Sequence, residues 1–228
     1  MLHFDVSFFM NVKEKNHWNV LFKKTSGEMN IALDSNEIDL FSRYLVELQE
    51  WNKKINITSI TKAEDIIIKH FLDSLTVFQY IDVYGCVVDI GSGGGFPGIP
   101  LKIKKPSLNM LLIEAKRKKA NFLRHTIRTL NLNGIDVYNG RAEDFNKKNC
   151  FDFAISRAFT DLYSFCNIAA PLVKPGGHII AMKGRGNEKE TINAAFQDLG
   201  ITMLNTTCFS LPLNKGTRTI IIFQKCFT

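Results

Sequence analysis

Apolar residues along this chain recur first at the spacing of helices. The first clear set follows one helix face at intervals of three and four residues: Ile38, Phe41, Leu45, Leu48 and Trp51. Asp34 and Glu37 precede it with the spacing of a capping box. Thr61 and Glu64 repeat that spacing and predict a second helix that continues through Phe78. Two helices are therefore predicted before the first core strand.

Beyond these helices, short apolar runs alternate with helical stretches. The predicted strands are 87–89, 110–113, 135–138, 153–156, 178–182, 202–209 and 217–224, and the predicted helices are 116–131, a short one near 143, 161–172 and 188–199. This alternation predicts right-handed crossovers and a mostly parallel seven-stranded sheet with helices on both faces. The last two strands are joined by a hairpin-like loop, so the last strand is predicted to be antiparallel.

The predicted fold is a Rossmann-like α/β fold preceded by helices. The chain has 228 residues, 45% of them hydrophobic, which is enough for one such domain with a small extension. We expect residues 1–80 to form an N-terminal helical extension packed on the core and residues 81–228 to form the catalytic domain, in one compact unit. Residues 1–33 have no clean period and suggest no role.

A glycine-rich loop follows the first predicted strand, which ends in Asp89. Pro97 and Pro100 follow in the first turn of the next predicted helix, where a fixed φ suits the backbone. The loop lets a ligand lie against backbone amides and predicts a nucleotide-type site at the carboxyl end of the first strand. Its glycines are Gly91, Gly93, Gly94, Gly95 and Gly98.

The acidic residue before this loop bears on which nucleotide it binds. The segment 93–98 satisfies the dinucleotide pattern G-x-G-x-x-G, which alone is a weak signal. The Asp89 carboxylate would repel a pyrophosphate, whereas a ligand that carries an ammonium group and a sulfonium centre tolerates it. The pattern Asp-x-Gly-x-Gly-x-Gly also resembles the first motif of S-adenosylmethionine-dependent methyltransferases.

Other candidate ligand contacts lie at the ends of later strands. Glu114 ends the second strand, where a carboxylate can accept hydrogen bonds from ribose hydroxyls, as it also does in dehydrogenases. Ala142 and Glu143 follow the third strand and are candidates to read an adenine edge. Arg157 follows the fourth strand, beside which a transferred methyl group should lie, although a salt-bridge role is an alternative.

The charge of the chain favours an anionic partner such as nucleic acid. Its formal net charge is +7 and its isoelectric point is about 9.1. Solvated helix faces are the ordinary alternative for such residues. One basic set without an intervening acid comprises Lys116, Arg117, Lys118, Lys119, Arg124 and Arg128, and a second comprises Lys53, Lys54, Lys62 and Lys69.

Cysteine usage and the N-terminus bear on compartment. The five cysteines include no C-x-x-C pair, so neither a disulfide framework nor a zinc site is indicated and a metal site is not expected. The N-terminus lacks a basic segment followed by an apolar core, and no apolar run approaches the roughly 18 residues that span a bilayer. We expect a cytoplasmic protein with no membrane partner.

Five motifs in one order resemble the RsmG family, also called GidB. The resemblance runs from about residue 35 to residue 225 and implies the class I methyltransferase fold. Members of this family are bacterial S-adenosylmethionine-dependent enzymes that methylate N7 of a guanine in the decoding region of small-subunit (16S) ribosomal RNA. The motifs are 51–59 (WNKKINITS), 70–74 (HFLDS), the loop 89–101, 155–159 (ISRAF) and 182–184 (MKG).

The resemblance also implies functional residues. It implies cofactor contacts from Gly91, Phe96, Ala142, Glu143 and Arg157, and the loop argument adds Asp89, Gly93 and Gly95. Glu114 stands where family members more often have Asp, which keeps the carboxylate and lengthens its reach. The candidates for the catalytic pocket are Arg157 and Lys183, and those for RNA are Lys53, Lys54, Lys116, Arg117, Arg124, Phe159, Arg185 and Arg218.

Methyl transfer to a guanine N7 agrees with what the sequence lacks. This nitrogen attacks with an in-plane lone pair and has no proton to lose, so no general base is required. The fourth strand is followed neither by an Asp/Asn-Pro-Pro-aromatic motif, which serves exocyclic amines, nor by a Pro-Cys pair for covalent attack on a pyrimidine. Phe159 is a candidate to stack on the target base.

Three other functions stay open at the level of sequence. They are a methyltransferase for a small molecule or protein, a nicotinamide-dependent oxidoreductase, and a ribosome-binding factor without activity. The preferred hypothesis is a monomeric methyltransferase whose partner is 16S ribosomal RNA or the small ribosomal subunit.

Overall fold

A seven-stranded sheet with the order β3-β2-β1-β4-β5-β7-β6 forms the centre of the computed structural model, which describes residues 12–157, 159, 161–184 and 194–227. Strands β1 to β5 pair in parallel, whereas β7 runs antiparallel to both β5 and β6. The predicted sheet with its antiparallel last strand is therefore confirmed. The strands are β1 (Cys86–Ile90), β2 (Asn109–Ile113), β3 (Ile135–Tyr138), β4 (Phe151–Arg157), β5 (Val173–Lys183), β6 (Ile201–Ser210) and β7 (Thr217–Lys225).

Helices precede the sheet and then alternate with its strands. The α-helices are α1 (Val12–Glu28), α2 (Ser35–Asn52), α3 (Ala63–Ile66), α4 (Asp73–Leu75), α5 (Gly98–Lys104), α6 (Arg117–Thr129), α7 (Leu162–Ala169) and α8 (Ala194–Asp198). A π-helical turn, Ile67–Leu72, joins α3 to α4. Short 3₁₀ turns occupy Phe78–Tyr80, Ala142–Asp144 and Pro212–Asn214.

Several predicted boundaries differ from the observed ones. Strand β5 begins at Val173 rather than at residue 178, because Val173 already pairs with Phe151. Helix α1 lies where the sequence shows no clean period; it is anchored by Phe22, whose ring meets that of Phe41 edge-on at 4.9 Å. Of the helix predicted at 188–199, residues 188–193 lie outside the described residues, and the described part is α8.

The two predicted capping boxes have opposite outcomes. At α2, the Asp34 carboxylate accepts the Glu37 N–H at 2.7 Å and Glu37 accepts the Asp34 N–H at 2.8 Å, so this box is confirmed. The box predicted from Thr61 and Glu64 is wrong, since α3 follows Lys62 without a side-chain cap. Glu64 instead pairs with Lys215 at 2.6 Å. The helical run that begins with α3 ends with α4 at Leu75 rather than continuing through residue 78.

The sheet is buried on both faces. Val87 and Val88 in β1 are fully buried but belong to different apolar clusters, as expected where a parallel strand is covered on both sides. One cluster extends from Phe22 in α1 through α2 and α6 to Ile222 in β7, and the other contains α7 and Phe196 of α8. The N-terminal helices therefore share a core with the sheet, and a domain boundary at residue 80 stays a prediction.

Within the described ranges, the helices include none that is long and apolar enough to cross a bilayer.

We predict that Asp34→Ala lowers the free energy of unfolding by about 1 kcal/mol, because the first turn of α2 loses the reciprocal bonds of its capping box. Urea unfolding followed by circular dichroism measures the change. Asp136→Ala, at an exposed position in β3, is the control. Equal urea midpoints for the Asp34 variant and wild type would contradict the prediction.

Candidate functional site

The candidate site lies at the carboxyl ends of β1, β2 and β4. The chain runs from β1 through β2 to β3 on one side of β1 and then crosses to β4 on its other side, so the strand order reverses at β1. Ligands of open α/β sheets bind in the crevice at such a switch point. The glycine-rich loop, Glu114 and Arg157 all lie at this edge of the sheet.

The glycine loop contains backbone conformations that residues other than glycine rarely adopt. Gly91 has a φ of +74°, and no atom lies within 4 Å of where its Cβ would be, so its outer side is open to a ligand. The carbonyl of Ile113 accepts the N–H groups of Gly91 and Ser92 at 2.9 and 3.0 Å. Beneath the loop, a Cβ on Gly98 would lie 2.4 Å from Leu112 Cδ2, which requires glycine there.

Glu114 is turned back across this loop. Its Oε2 accepts the N–H of Gly93 at 2.9 Å, and its Oε1 accepts the N–H of Lys116 at 2.7 Å. Gly93 and Gly95 both have positive φ, which lets the loop meet the carboxylate. Each carboxylate oxygen keeps a further lone pair, so Glu114 can still accept hydroxyl donors from a ribose.

The predicted adenine contacts lie next to Glu114. Gly140 N–H donates to the Glu114 carbonyl at 3.2 Å, which sets the turn after β3 against the end of β2. Ala142 is buried and Glu143 is exposed at the start of the 3₁₀ turn that follows. Contact of these two residues with a cofactor stays a prediction.

Asp89 lies buried directly below the loop. Its Oδ2 accepts the Gly98 N–H at 3.0 Å, whereas its Oδ1 has no hydrogen-bond partner among the described residues. Burial raises the pKa of Asp89 to about 7, against the opposing effect of the Gly98 amide. An orphaned acceptor beneath an open glycine cradle fits a ligand that carries both a nucleoside and a cationic group.

Phe96 is buried inside the loop rather than exposed on it. Its ring is 4% exposed, stacks on His70 with centroids 4.4 Å apart, and lies 5.6 Å from the Tyr44 ring. The Tyr44 hydroxyl donates to the carbonyl of Gly94, and burial raises the pKa of this phenol well above its usual value. Because the side chain of Phe96 is buried, the predicted contact with a cofactor would have to come from its backbone, and it stays a prediction.

Arg157 is held on several sides at the end of β4. Its Nη1 donates to the carbonyl of Lys69 at 2.8 Å and lies 3.5 Å from Asp73 Oδ2, while its Nη2 donates to His70 Nδ1 at 2.9 Å. The guanidinium carbon also lies 4.9 Å from the centroid of the Phe96 ring, a cation–π arrangement. Arg157 therefore makes the salt bridge that was its alternative role and also lies beside the glycine loop, and its contact with a ligand stays a prediction.

Asp73 is shared by two arginines from distant parts of the chain. Arg218 Nε in β7 donates to Asp73 Oδ2 at 2.9 Å, and the Asp73 side chain is only 2% exposed. Burial raises the pKa of Asp73, whereas Arg157 and Arg218 oppose that shift. The sequence prediction did not name His70 and Asp73 as site residues, although both lie in the motif 70–74. The available signal was that motif and its polar residues inside a largely apolar helical stretch, where burial demands partners.

Three further candidates belong to the end of β5 or to the segments that follow β4 and β5. Lys183 ends β5 beside Arg157, because Arg157 pairs with the adjacent Met182. The ring of Phe159 lies 5.1 Å from that of Phe165 and is partly buried, so stacking of Phe159 on a base stays a prediction. Arg185 lies outside the described residues.

Basic residues border the site on one side. Lys116 and Arg117 are exposed at the start of α6, and Arg124 is exposed further along the same helix. Lys53 and Lys54 are exposed after α2, where Lys53 pairs with Glu50 at 2.6 Å. The link between these groups is Lys119, whose Nζ donates to the carbonyl of Ile57 at 2.9 Å. We call the exposed cations Lys53, Lys54, Lys116, Arg117 and Lys118 the basic border.

We predict that wild type loses more stability than Asp89→Asn as the pH rises from 5 to 8. A folded Asp89 keeps its proton to about pH 7, whereas in the unfolded chain it titrates near its ordinary value of 3.8. The folded protein then binds more protons in this window, so its stability falls as the pH rises. The expected difference is about 2 kcal/mol by urea unfolding of the free protein. Asp136→Asn is the exposed control, and parallel pH profiles for wild type and Asp89→Asn would refute the assignment.

Comparison with known proteins agrees with this geometry. A family model described as rRNA small subunit methyltransferase G (GidB) matches residues 37–215. "Ribosomal RNA small subunit methyltransferase G" from Geobacter sp. (strain M21) is 39% identical over 209 residues, which cover 90% of this chain and 96% of that protein. The same name belongs to a protein of Syntrophus aciditrophicus that is 41% identical over 216 residues, covering 91% of this chain and 90% of the other.

Solved structures share the fold at lower identity. A SAM-dependent methyltransferase from Aquifex aeolicus superposes with a TM-score of 0.57 and 15% identity, and covers 74% of this chain and 97% of its own. Its fold is the Rossmann-like one predicted from the alternation of strands and helices. The family model spans β1 to β5 with the glycine loop, Glu114 and Arg157, and the chain therefore belongs to the GidB family of rRNA small subunit methyltransferase G.

Proposed function

We propose that this protein transfers the methyl group of S-adenosylmethionine to N7 of a guanine in the decoding region of 16S ribosomal RNA. The observation that carries the proposal is the GidB family match, which contains the open glycine loop, Glu114 and Arg157 in one continuous region. Relatives that align with 90% and 91% of the chain bear the name of a small-subunit rRNA methyltransferase.

The residues at the loop fit this cofactor. Gly91 leaves open space for the amino-acid portion, Glu114 keeps lone pairs for the ribose hydroxyls, and the orphaned Asp89 Oδ1 supplies an acceptor below the loop. Ala142 and Glu143 lie beyond Glu114, where the adenine would extend. When bound, S-adenosylmethionine supplies an electrophilic methyl group on its sulfonium sulfur.

The side chains around Arg157 suit a nucleophile that has no proton to remove. His70 is engaged at both ring nitrogens, and burial together with the charge of Arg157 lowers its pKa to about 3. Asp89 lies behind the loop and Asp73 is bonded to Arg218, so neither carboxylate is presented as a base. A guanine N7 needs no base, and its methylation can rest on in-line placement at about 3–3.5 Å in a site that excludes water.

Arg157 and Lys183 bring positive charge to the carboxyl ends of β4 and β5. Both residues end adjacent strands, β4 and β5, beside which the transferred methyl group should lie. A fixed guanidinium there can hold an anionic group of the cofactor or of the RNA in register. Lys183 is the second cation we assign to the catalytic pocket.

The basic border supports RNA as the substrate. The Lys119–Ile57 hydrogen bond holds the loop after α2 against α6, so cations from two segments share one side of the site. Phosphate contacts from such residues supply much of the affinity for nucleic acid. We further propose that the enzyme acts in the cytoplasm as a monomer on the small ribosomal subunit or its RNA, and that Arg124, Arg185 and Arg218 add contacts around the target.

The direct test is transfer of labelled methyl from S-adenosylmethionine to small ribosomal subunits that lack the modification, with free 16S ribosomal RNA and transfer RNA alongside. We expect label at one guanine of the 16S RNA, and mapping of the labelled base should place it at N7. Label confined to transfer RNA, or none in any RNA despite binding of S-adenosylhomocysteine, would contradict the proposal.

We predict that neutralising Arg117 and Lys118 together by glutamine weakens RNA binding and lowers its salt dependence. Each lost phosphate contact reduces the slope of log K against log salt by about 0.7–0.9. Binding to 16S RNA measured across a salt series gives the slope. The matched control is Lys23→Gln with Lys24→Gln on α1, which removes the same charge from exposed positions. Equal slopes for the two double variants would contradict a specific role for the basic border.

A further inference from the structure

His70 is a buried histidine in an irregular part of a helix, next to the candidate site. It lies in the π-helical turn between α3 and α4 and is 6% exposed. Single π-helical turns are frequent at functional sites, where they redirect side chains and carbonyls. Here the turn presents two successive acceptors, the Lys69 carbonyl and His70 Nδ1, to the same guanidinium of Arg157.

The contacts of His70 determine its tautomer. His70 Nδ1 lies 2.9 Å from Arg157 Nη2 and 3.2 Å from the Lys69 carbonyl. A guanidinium can only donate, so the shorter contact assigns Nδ1 as an acceptor without a proton, and the Lys69 carbonyl accepts from Arg157 Nη1 at 2.8 Å. The ring proton is therefore on Nε2, which donates to Thr58 Oγ1 at 2.8 Å. Burial and the nearby Arg157 lower the pKa of His70 to about 3, which agrees with a neutral ring.

The ring of His70 also touches the cofactor loop. It stacks on Phe96 at a centroid distance of 4.4 Å and an interplanar angle of 18°. Thr58, the partner of Nε2, belongs to the loop after α2, which Asn52 Oδ1 holds by accepting the N–H groups of Ile57 and Thr58 at 2.8 and 3.0 Å. One imidazole thus meets the glycine loop, the loop that follows α2, and Arg157.

We propose that His70 is a positioning residue for methyl transfer: its neutral imidazole fixes the direction of the Arg157 guanidinium and links it to the loop after α2. This inference deepens the proposed function and rests on it for the identity of the reaction. The remaining donors of Arg157, the second hydrogen on Nη2 and the one on Nε, are thereby aimed in a fixed direction. Asp73 supplies charge balance to Arg157 from 3.5 Å, and His70 supplies direction through a bond of 2.9 Å.

A double-mutant cycle tests this assignment, because residues that act through one another have non-additive effects. The singles are His70→Leu, which removes the acceptor, and Arg157→Lys, which keeps a charge beside Asp73 but loses the planar fork. For each protein we would measure the dissociation constant of S-adenosylhomocysteine and kcat and KM for small ribosomal subunits. We expect His70→Leu to lower kcat by about 10-fold or more when Arg157 is present, and by less than about 2-fold in the Arg157→Lys background.

His70→Asn is the conservative variant. Its Oδ1 can occupy the place of the imidazole Nδ1 and accept from Arg157, while the stacking area on Phe96 is lost. We expect it to recover most of the activity lost in His70→Leu, with the effect on kcat rather than on KM for RNA. Thr126→Val, an isosteric change at a fully buried residue of α6, is the control for a polar-to-apolar substitution in the core away from Arg157 and should leave all constants unchanged.

The outcomes separate this inference from the proposed function. Equal fold losses for His70→Leu in both Arg157 backgrounds, or no recovery by His70→Asn, would overturn the positioning role. If His70→Leu does not fold, the same cycle run with Thr58→Val, which removes the partner of His70 Nε2, decides. If wild type methylates no ribosomal RNA, the proposed function fails, and the cycle on S-adenosylhomocysteine affinity still tests His70; additivity there, or no effect of Arg157→Lys, would overturn the inference.

Discussion

A guanidinium that leaves water must recover hydrogen bonds and charge balance inside the protein, and Arg157 imposes that requirement on the whole site. Its partners come from the π-helical turn, from α4 and from the glycine loop. The same carboxylate, Asp73, also accepts from Arg218 in β7. Removing one member of such a buried group leaves another unpaired, which costs several kcal/mol. The N-terminal helices, the sheet and the last hairpin are therefore held together at one point.

That arrangement explains why the N-terminal helices share the core of the sheet. The hairpin between β6 and β7 contacts the same helical run a second time, where Lys215 pairs with Glu64 and Asp65 at 2.6 and 3.0 Å. These half-buried pairs at the protein surface add little stability singly. Together with the Arg218–Asp73 bond they fix the hairpin over the helical run that carries His70. The wall of the site is thus built from segments at opposite ends of the chain.

The chemistry proposed for this site follows from the hydrogen bonds that its side chains already make with one another. Both ring nitrogens of His70 are hydrogen-bonded, one to Thr58 and the other to Arg157. Asp73 accepts from Arg218, and Asp89 lies under the glycine loop. A nucleophile that needed deprotonation would find no accessible base among these groups. A ring nitrogen with an available lone pair needs only position and desolvation, which rigid, mutually bonded side chains supply well.

The sequence by itself determined the mostly parallel sheet with its antiparallel last strand, the glycine loop and the acidic residue before it, because strand–helix alternation and glycine spacing are local patterns. It also determined α2, whose capping box is a contact between residues three apart. It predicted a helix at α3 but not how that helix begins, because Glu64 pairs with Lys215, a residue distant in the chain, and makes no capping box. It likewise missed His70 and Asp73, whose partners Arg157 and Arg218 follow much later in the sequence. Contacts between distant segments exist only after the chain has folded, so the tertiary structure alone decided how Arg157 is held.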